Sequence, residues 1–169
     1  MTYENSYINS TTWSELNILE TLRKKNPLVI CITNDVVRPF TANGLLAIGT
    51  SPVMSECSED LKDLIVHAAA LLINIGTVTP DKVTYYKEAV KLAKTHEIPI
   101  VLDPVGCHAG AYRLSVVLDL IKTDAISLLR GNQSEIKAIY DALNTNHKID
   151  SSLSGKGVDG ERVENSAII

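Results

Sequence analysis

Four short, dense apolar runs punctuate this chain: LVICIT at 28–33, ALLINIG at 70–76, IPIVLD at 98–103 and AISLLR at 125–130. Each is too short for a globular helix, is bounded by turn formers and lacks strict in–out alternation, so each predicts a buried strand. Between them apolar residues recur at helical spacing. Thr12-x-x-Glu15 reads as a capping box, in which each side chain satisfies a free backbone donor of the other. It opens a helix through Leu16, Leu19 and Leu22 that ends near Asn26-Pro27. FTANGLLAIG predicts a short helix closed by Gly49, since glycine accepts the left-handed conformation past a last turn. The brief run SPVM then leads to Ser58-Glu59-Asp60, a start signal with acids in the positive first turn, for a helix to about Ala69.

Thr79-Pro80-Asp81 is a further start, with proline where its missing N–H does no harm. Val83, Tyr86, Val90 and Ala93 follow on one helical face. An amphipathic segment runs through Leu114, Val117, Leu118 and Ile121, and a last helix spans about Gln133 to Leu143. Buried strands alternating with helices predict an α/β fold: a doubly wound, mostly parallel sheet with helices on both faces. The organisation expected is a polar N-terminal tail at 1–12, one α/β domain at 13–143, and a polar, glycine- and serine-rich tail at 144–169, read as a linker or disordered end.

Composition narrows the partners. The 169 residues are 45% hydrophobic and 21% charged, with a net charge of −4. That balance argues against a nucleic-acid binder. Arg23-Lys24-Lys25, the only compact basic cluster, suits the last turn of a helix. Cys31, Cys57 and Cys107 are widely spaced and odd in number, with no ligand spacing to the four histidines, so neither a disulfide framework nor a zinc site is supported. No signal-peptide layout and no apolar run of membrane-spanning length is visible, and a cytoplasmic protein is expected.

In open α/β sheets ligands bind beyond the carboxyl ends of the strands. Those ends read Thr33-Asn34, Met54, Gly76-Thr77, Asp103-Pro104 and Arg130-Gly131-Asn132. Such a concentration of polar groups predicts a small-molecule cleft without naming the molecule. Asp103 could hold a metal or take up a proton, or simply form a turn. Arg130 could grip phosphate bidentately beside Gly131, or form a surface ion pair. Glu135 suits the first turn of its helix and also lies close enough to Arg130 and Asn132 to serve magnesium. Met54 reads as core filling or as a thioether against a heteroaromatic ring. Asn34 reads as a turn former or a ligand contact. Cys107 and His108 show no third group to orient them as a nucleophilic pair. Neither the P-loop nor the dinucleotide fingerprint is present.

ITNDVVRPFTANGLLAIGTSPVMSE, LLINIGTVTPD, IPIVLDPVGCHAGAYR and LLRGNQSEI, in this order and spacing, resemble the hydroxyethylthiazole kinases of thiamin salvage, over about residues 13 to 160. The resemblance implies the N-terminal portion of a ribokinase-like fold. The implied reaction is ATP- and magnesium-dependent phosphorylation of the primary alcohol of 4-methyl-5-(2-hydroxyethyl)thiazole. It places Met54 and Asn34 on the substrate side, Arg130 on ATP, and Asp103 and Glu135 near magnesium. It also implies a homotrimer with sites between subunits. Arg38-Pro39 and Cys107-His108 depart locally from the family pattern. SGKGVDG matches a family segment, but the family's further strands and its catalytic cysteine turn are expected beyond residue 169. A non-catalytic remnant that at most binds ligand is therefore the alternative. A receiver-type signalling domain, which also carries a strand-end aspartate, suits the company of Asp103 less well.

Overall fold

The computed structural model describes residues 10–144; of the expected tails at 1–12 and 144–169, residues 1–9 and 145–169 lie outside the described residues. Its centre is a parallel sheet of five strands: β1 (Leu28–Ile32), β2 (Ser51–Met54), β3 (Ala70–Asn74), β4 (Ile100–Asp103) and β5 (Ile126–Leu129). They lie in the order β2-β1-β3-β4-β5, every pair parallel. Among the described residues six α-helices accompany them: α1 (Ser10–Lys25), α2 (Arg38–Ile48), α3 (Ser58–Ile65), α4 (Pro80–Thr95), α5 (Ala111–Ile121) and α6 (Gln133–Asn144). The connection from β1 to β2 steps one way along the sheet, and those from β2 onward step the other way. Right-handed crossovers therefore put α2 on one face and α3, α4 and α5 on the other. Contacts agree: α1 touches α2, while α3, α4, α5 and α6 touch in sequence. The sheet is doubly wound.

The two faces are not equally closed. Ile30, Ile32, Leu71, Ile73, Ile100 and Leu102 are buried against Leu61 and Ile65 of α3, Tyr86 and Val90 of α4, and Leu114 and Val117 of α5. Opposite, α2 has no buried residue, and Phe40 is 80% exposed beside exposed Val36 and Leu46. Among the described residues no helix is long and apolar enough to cross a membrane.

Three expectations shift. SPVM is a fifth strand, β2, short because proline and the edge position leave little ladder to make. Helix α3 stops at Ile65 rather than near Ala69, because Ala69 donates its N–H to Leu28 O and Ala70 enters the sheet opposite Val29. Pairing overrides the helical preference of the alanine run. Helix α1 starts at Ser10, so Thr12 lies inside its first turn instead of at its cap. Other signals hold. Thr79 caps α4, its hydroxyl accepting from Lys82 N–H at 3.3 Å. Asn26, Glu97 and Asp124, after α1, α4 and α5, all take left-handed φ, turning the chain back into a strand.

Gly49 ends α2 at φ 96°, and a Cβ there would stand 2.5 Å from Arg23 Cγ and 3.0 Å from Arg23 Cα. Gly49→Ala is expected to cost about 1–2 kcal/mol from the left-handed backbone alone, with the clash added. Urea denaturation measures this, and an unchanged midpoint would contradict both the backbone cost and the clash.

Candidate functional site

The strand order puts the reversal of winding between β1 and β3, where the loops diverge to opposite faces and open a crevice. The residues leaving these strands are joined by hydrogen bonds. Asn34, just past β1, donates through Nδ2 to Asn74 Oδ1 at 2.7 Å. Asn74, the last residue of β3, donates through Nδ2 to Asp103 Oδ2 at 2.9 Å. The parallel register sets Asn74 opposite Asp103, the last residue of β4. Arg130, just past β5, donates to the same Oδ2 at 3.0 Å. Four strands thus carry one continuous polar row, Asn34–Asn74–Asp103–Arg130, whose first three members are buried.

Backbone turns hold both ends of the row. Asn34 Oδ1 accepts from the N–H groups of Val36 and Val37, tying the row to the approach to α2. Asn74 Oδ1 also accepts from Gly76 N–H at 2.9 Å. A Cβ on Gly76 would lie 2.5 Å from Asn34 Nδ2, so glycine is required for the two turns to meet. Past β4, Gly106 takes φ 70° and donates its N–H to Glu135 Oε1 at 2.8 Å. Glu135 Oε2 accepts from Asn132 N–H, and Asn132 Oδ1 accepts from Glu135 N–H, a reciprocal capping box at the start of α6. Glu135, 4% exposed, is thereby both a helix cap and a strut under the loop of Gly106.

Burial pushes the Asp103 carboxyl above its ordinary value; Arg130 opposes this, and Glu135 nearby adds to it. The nearby cation does not prevail because the Arg130 side chain is 75% exposed and screened by water, whereas that of Asp103 is 10% exposed. Burial, reinforced by the negative Glu135, pushes the Cys107 thiol up to about 12, so at neutral pH it is not a thiolate nucleophile. His108 beside it is buried, and neither ring nitrogen has a hydrogen-bond partner among the described residues. No group of three or more His, Cys, Asp or Glu gathers as a metal cage among the described residues.

The structure therefore brings Asn34, Asp103, Arg130 and Glu135 into one neighbourhood. Met54 is half-buried at the end of β2, opposite Cys31 and one strand away from the row. A cavity of about 300 Å³ opens at the end of β1, lined by Ile32, Thr33, Glu56, Thr79, Lys82 and Tyr85. Neither Met54 nor Asn34 lines it, although Asn34 directly follows Thr33 and Met54 lies two residues before Glu56. At its rim Asp35 pairs with Lys82 and Arg38, and Arg38 also with Glu56. Reasoning from sequence missed two residues. Asn74 was hidden inside an apolar strand, yet an asparagine in a buried run is a signal, because it must find partners. Arg113, in the first turn of α5, binds three carbonyls of the site loops. Its signal was a cation at the wrong end of a helix dipole.

An open parallel sheet with a polar row across its reversal point defines an α/β domain of the doubly wound class. Residues 19–168 match the model of the hydroxyethylthiazole kinase family. The chain is 54% identical over 145 residues to a hydroxyethylthiazole kinase of Streptococcus agalactiae serotype Ia, covering 86% of this chain and 53% of that protein. It is 52% identical over 147 residues to that of Streptococcus suis, covering 87% and 53%. The solved structure of a hydroxyethylthiazole kinase protein from Pyrococcus horikoshii OT3 matches with a TM-score of 0.72 at 40% identity, over 75% of this chain and 49% of that one. The chain belongs to the hydroxyethylthiazole kinase family, and it spans about half the length of the curated relatives it matches.

Two outcomes follow from the row. Because the folded-state pKa of Asp103 is raised, its stabilising contribution is complete below the ordinary carboxylate range and is lost as pH rises through the raised value. Asp103→Asn removes that loss while keeping an acceptor for Asn74. The variant should be no less stable than the parent at pH 7, with the difference shrinking as pH falls toward about 4. Urea midpoints across that range decide it, and a deficit that grows on acidification contradicts it. Gly76→Ala should cost about 1–3 kcal/mol by forcing Asn34 out of line, whereas Gly44→Ala, with nothing within 4 Å of the added carbon, should cost nothing. Equal midpoints for the two variants would show the contact to be slack.

Proposed function

We propose that this chain supplies the substrate- and nucleotide-binding part of a hydroxyethylthiazole kinase, which transfers the γ-phosphoryl group of ATP to the primary alcohol of 4-methyl-5-(2-hydroxyethyl)thiazole. The observation that carries the reading is the hydrogen-bonded row, which joins the proposed substrate side to the proposed nucleotide side through buried amides in a chain of this family. Asn34, at the crevice, and Met54, whose thioether can lie along a flat heteroaromatic ring, are assigned to the thiazole. Arg130 is assigned to ATP: one nitrogen is held by Asp103, and the rest of its exposed fork is available to phosphate oxygens. In the transfer the alcohol oxygen bonds to the γ-phosphorus, the bond to the bridging oxygen of ADP breaks, and the alcohol proton is released.

Asp103 and Glu135 are assigned to the magnesium side. The donor set suits that ion, which is commonly bound by one or two carboxylates together with substrate phosphates and water rather than by an all-protein cage. Both oxygens of Glu135 already accept N–H groups, so Asp103 would be the carboxylate offered to the ion and Glu135 would contribute negative charge nearby. When bound, magnesium neutralises charge on the phosphates. The protein's own part is to hold Arg130 and the two carboxylates in place.

A homotrimer is also proposed, supported by α2, which buries no residue and leaves Phe40 and Leu46 exposed, with Val36 exposed just before it. A cytoplasmic setting is supported by three free cysteines.

Calorimetric titration of the 169-residue chain with 4-methyl-5-(2-hydroxyethyl)thiazole tests the reading. Saturable binding is expected, weakened about tenfold or more by Asn34→Ala or Met54→Ala, the loss of about 1.4 kcal/mol or more. A chain that melts cooperatively yet takes up no thiazole rules the assignment out. Turnover with ATP and magnesium would exclude the non-catalytic alternative.

A further inference from the structure

Arg113 makes an unusual set of contacts for a surface helix residue. Its Nη1 donates to Ile75 O at 3.1 Å and Val105 O at 3.0 Å, and its Nη2 donates to Gly76 O at 2.8 Å. All three acceptors are backbone carbonyls, and all three lie in the loops that leave β3 and β4. The residue sits in the first turn of α5, where the helix dipole disfavours a cation, and no acid shares that turn. A cation placed against the dipole is held there by what it binds.

What it binds is the backbone under the polar row. The peptide between Val105 and Gly106 is gripped at both ends: its carbonyl accepts from Arg113, and its N–H donates to Glu135 Oε1. Positive and negative side chains thus lie at the matching poles of one peptide dipole and fix its plane. The peptide between Ile75 and Gly76 is held in the same manner, its carbonyl by Arg113 and its N–H by Asn74 Oδ1, and the next carbonyl, that of Gly76, also accepts from Arg113. The Arg113 side chain also lies against Gly106, where a Cβ would sit 3.7 Å from Arg113 Cδ and Nη1.

We infer that Arg113 is a positioning residue: it locks the two glycine turns together and so keeps Asn34, Asn74 and Asp103 in line for ligand without touching ligand itself. Only the ligand arm of this inference rests on the function proposed above.

Arg113→Met and Arg113→Lys, made in the ¹⁵N-labelled 169-residue chain, test it by amide hydrogen exchange and by the carboxamide signals of Asn34 and Asn74. In Arg113→Met, exchange at Gly76 and Gly106 should quicken about tenfold or more, the two carboxamide signals should shift, and Ala89 and Val90 inside α4 should keep their protection. Arg113→Lys should fall between, because an ammonium can reach a carbonyl but cannot span three. Thiazole affinity should drop in the same order. Protection falling equally at Gly76, Gly106, Ala89 and Val90 would make Arg113 merely structural and overturn the inference, as would unchanged exchange at the two glycines. If Arg113→Met does not fold, Arg113→Lys carries the same comparison between the glycines and α4. If the unmutated chain binds no thiazole, the proposed function fails, while the exchange data still decide the role of Arg113.

Discussion

The polarity of the entire strand-end row follows from one carboxylate oxygen. Oδ2 of Asp103 accepts from Arg130, which can only donate, so Asn74 must also turn its NH₂ toward it. The carbonyl of Asn74 then faces the other way, toward β1, and can take only a donor. Asn34 must therefore present its own NH₂, which leaves its carbonyl to receive the N–H groups of Val36 and Val37. Two amides that would otherwise be free to flip have one arrangement each, propagated across three strands from Asp103. Parallel pairing makes this possible, because it brings the carboxyl ends of β3 and β4 to the same level.

The row is also the place where stability is given up for an arrangement. A carboxylate buried at the end of β4 is disfavoured by desolvation, and the arginine that offsets this stands mostly in water. A fold selected for stability alone would put an apolar residue there, since paired charges rarely repay their desolvation. What the arrangement supplies is a guanidinium tethered by one nitrogen at the far end of the row, just past β5. A tethered cation has less rotamer freedom to lose when an anion arrives. The closely packed face formed by α3, α4 and α5 supports this rigidity, while the opposite face stays open.

Much of this architecture is readable in the sequence, and what is not has identifiable causes. Strands β1, β3, β4 and β5 stand out because buried parallel strands are nearly continuous apolar runs, and α4 stands out because Thr79-Pro80 is a local signal that needs no partner. Strand β2 has four residues, one of them proline, and becomes a strand only through its pairing with β1. The end of α3 depends likewise on a hydrogen bond from Ala69 to a distant strand. Asn34, Asp103, Arg130 and Glu135 are visible as strand-end or helix-start polar groups. Their joining through Asn74 and their support by Arg113 are not, since residue 113 meets residues 75 and 76 only once the sheet has formed.

Glu135 shows how cap and site can be one object. A glutamate three residues after an asparagine is an ordinary helix start, and taken alone the capping box explains it. Its second oxygen, however, reaches 29 residues back in sequence to Gly106, so the same carboxylate that starts α6 also fixes the loop leaving β4. The negative charge that stabilises the helix start then adds to burial at Asp103, whose ionisation it makes harder, and at Cys107, whose thiol burial already pushes up. Removing that charge would relax both groups and free the Gly106 N–H together. Cap, loop and electrostatic environment therefore cannot vary independently here, and a cation drawn to Asp103 would meet a loop already held on its other side by Glu135.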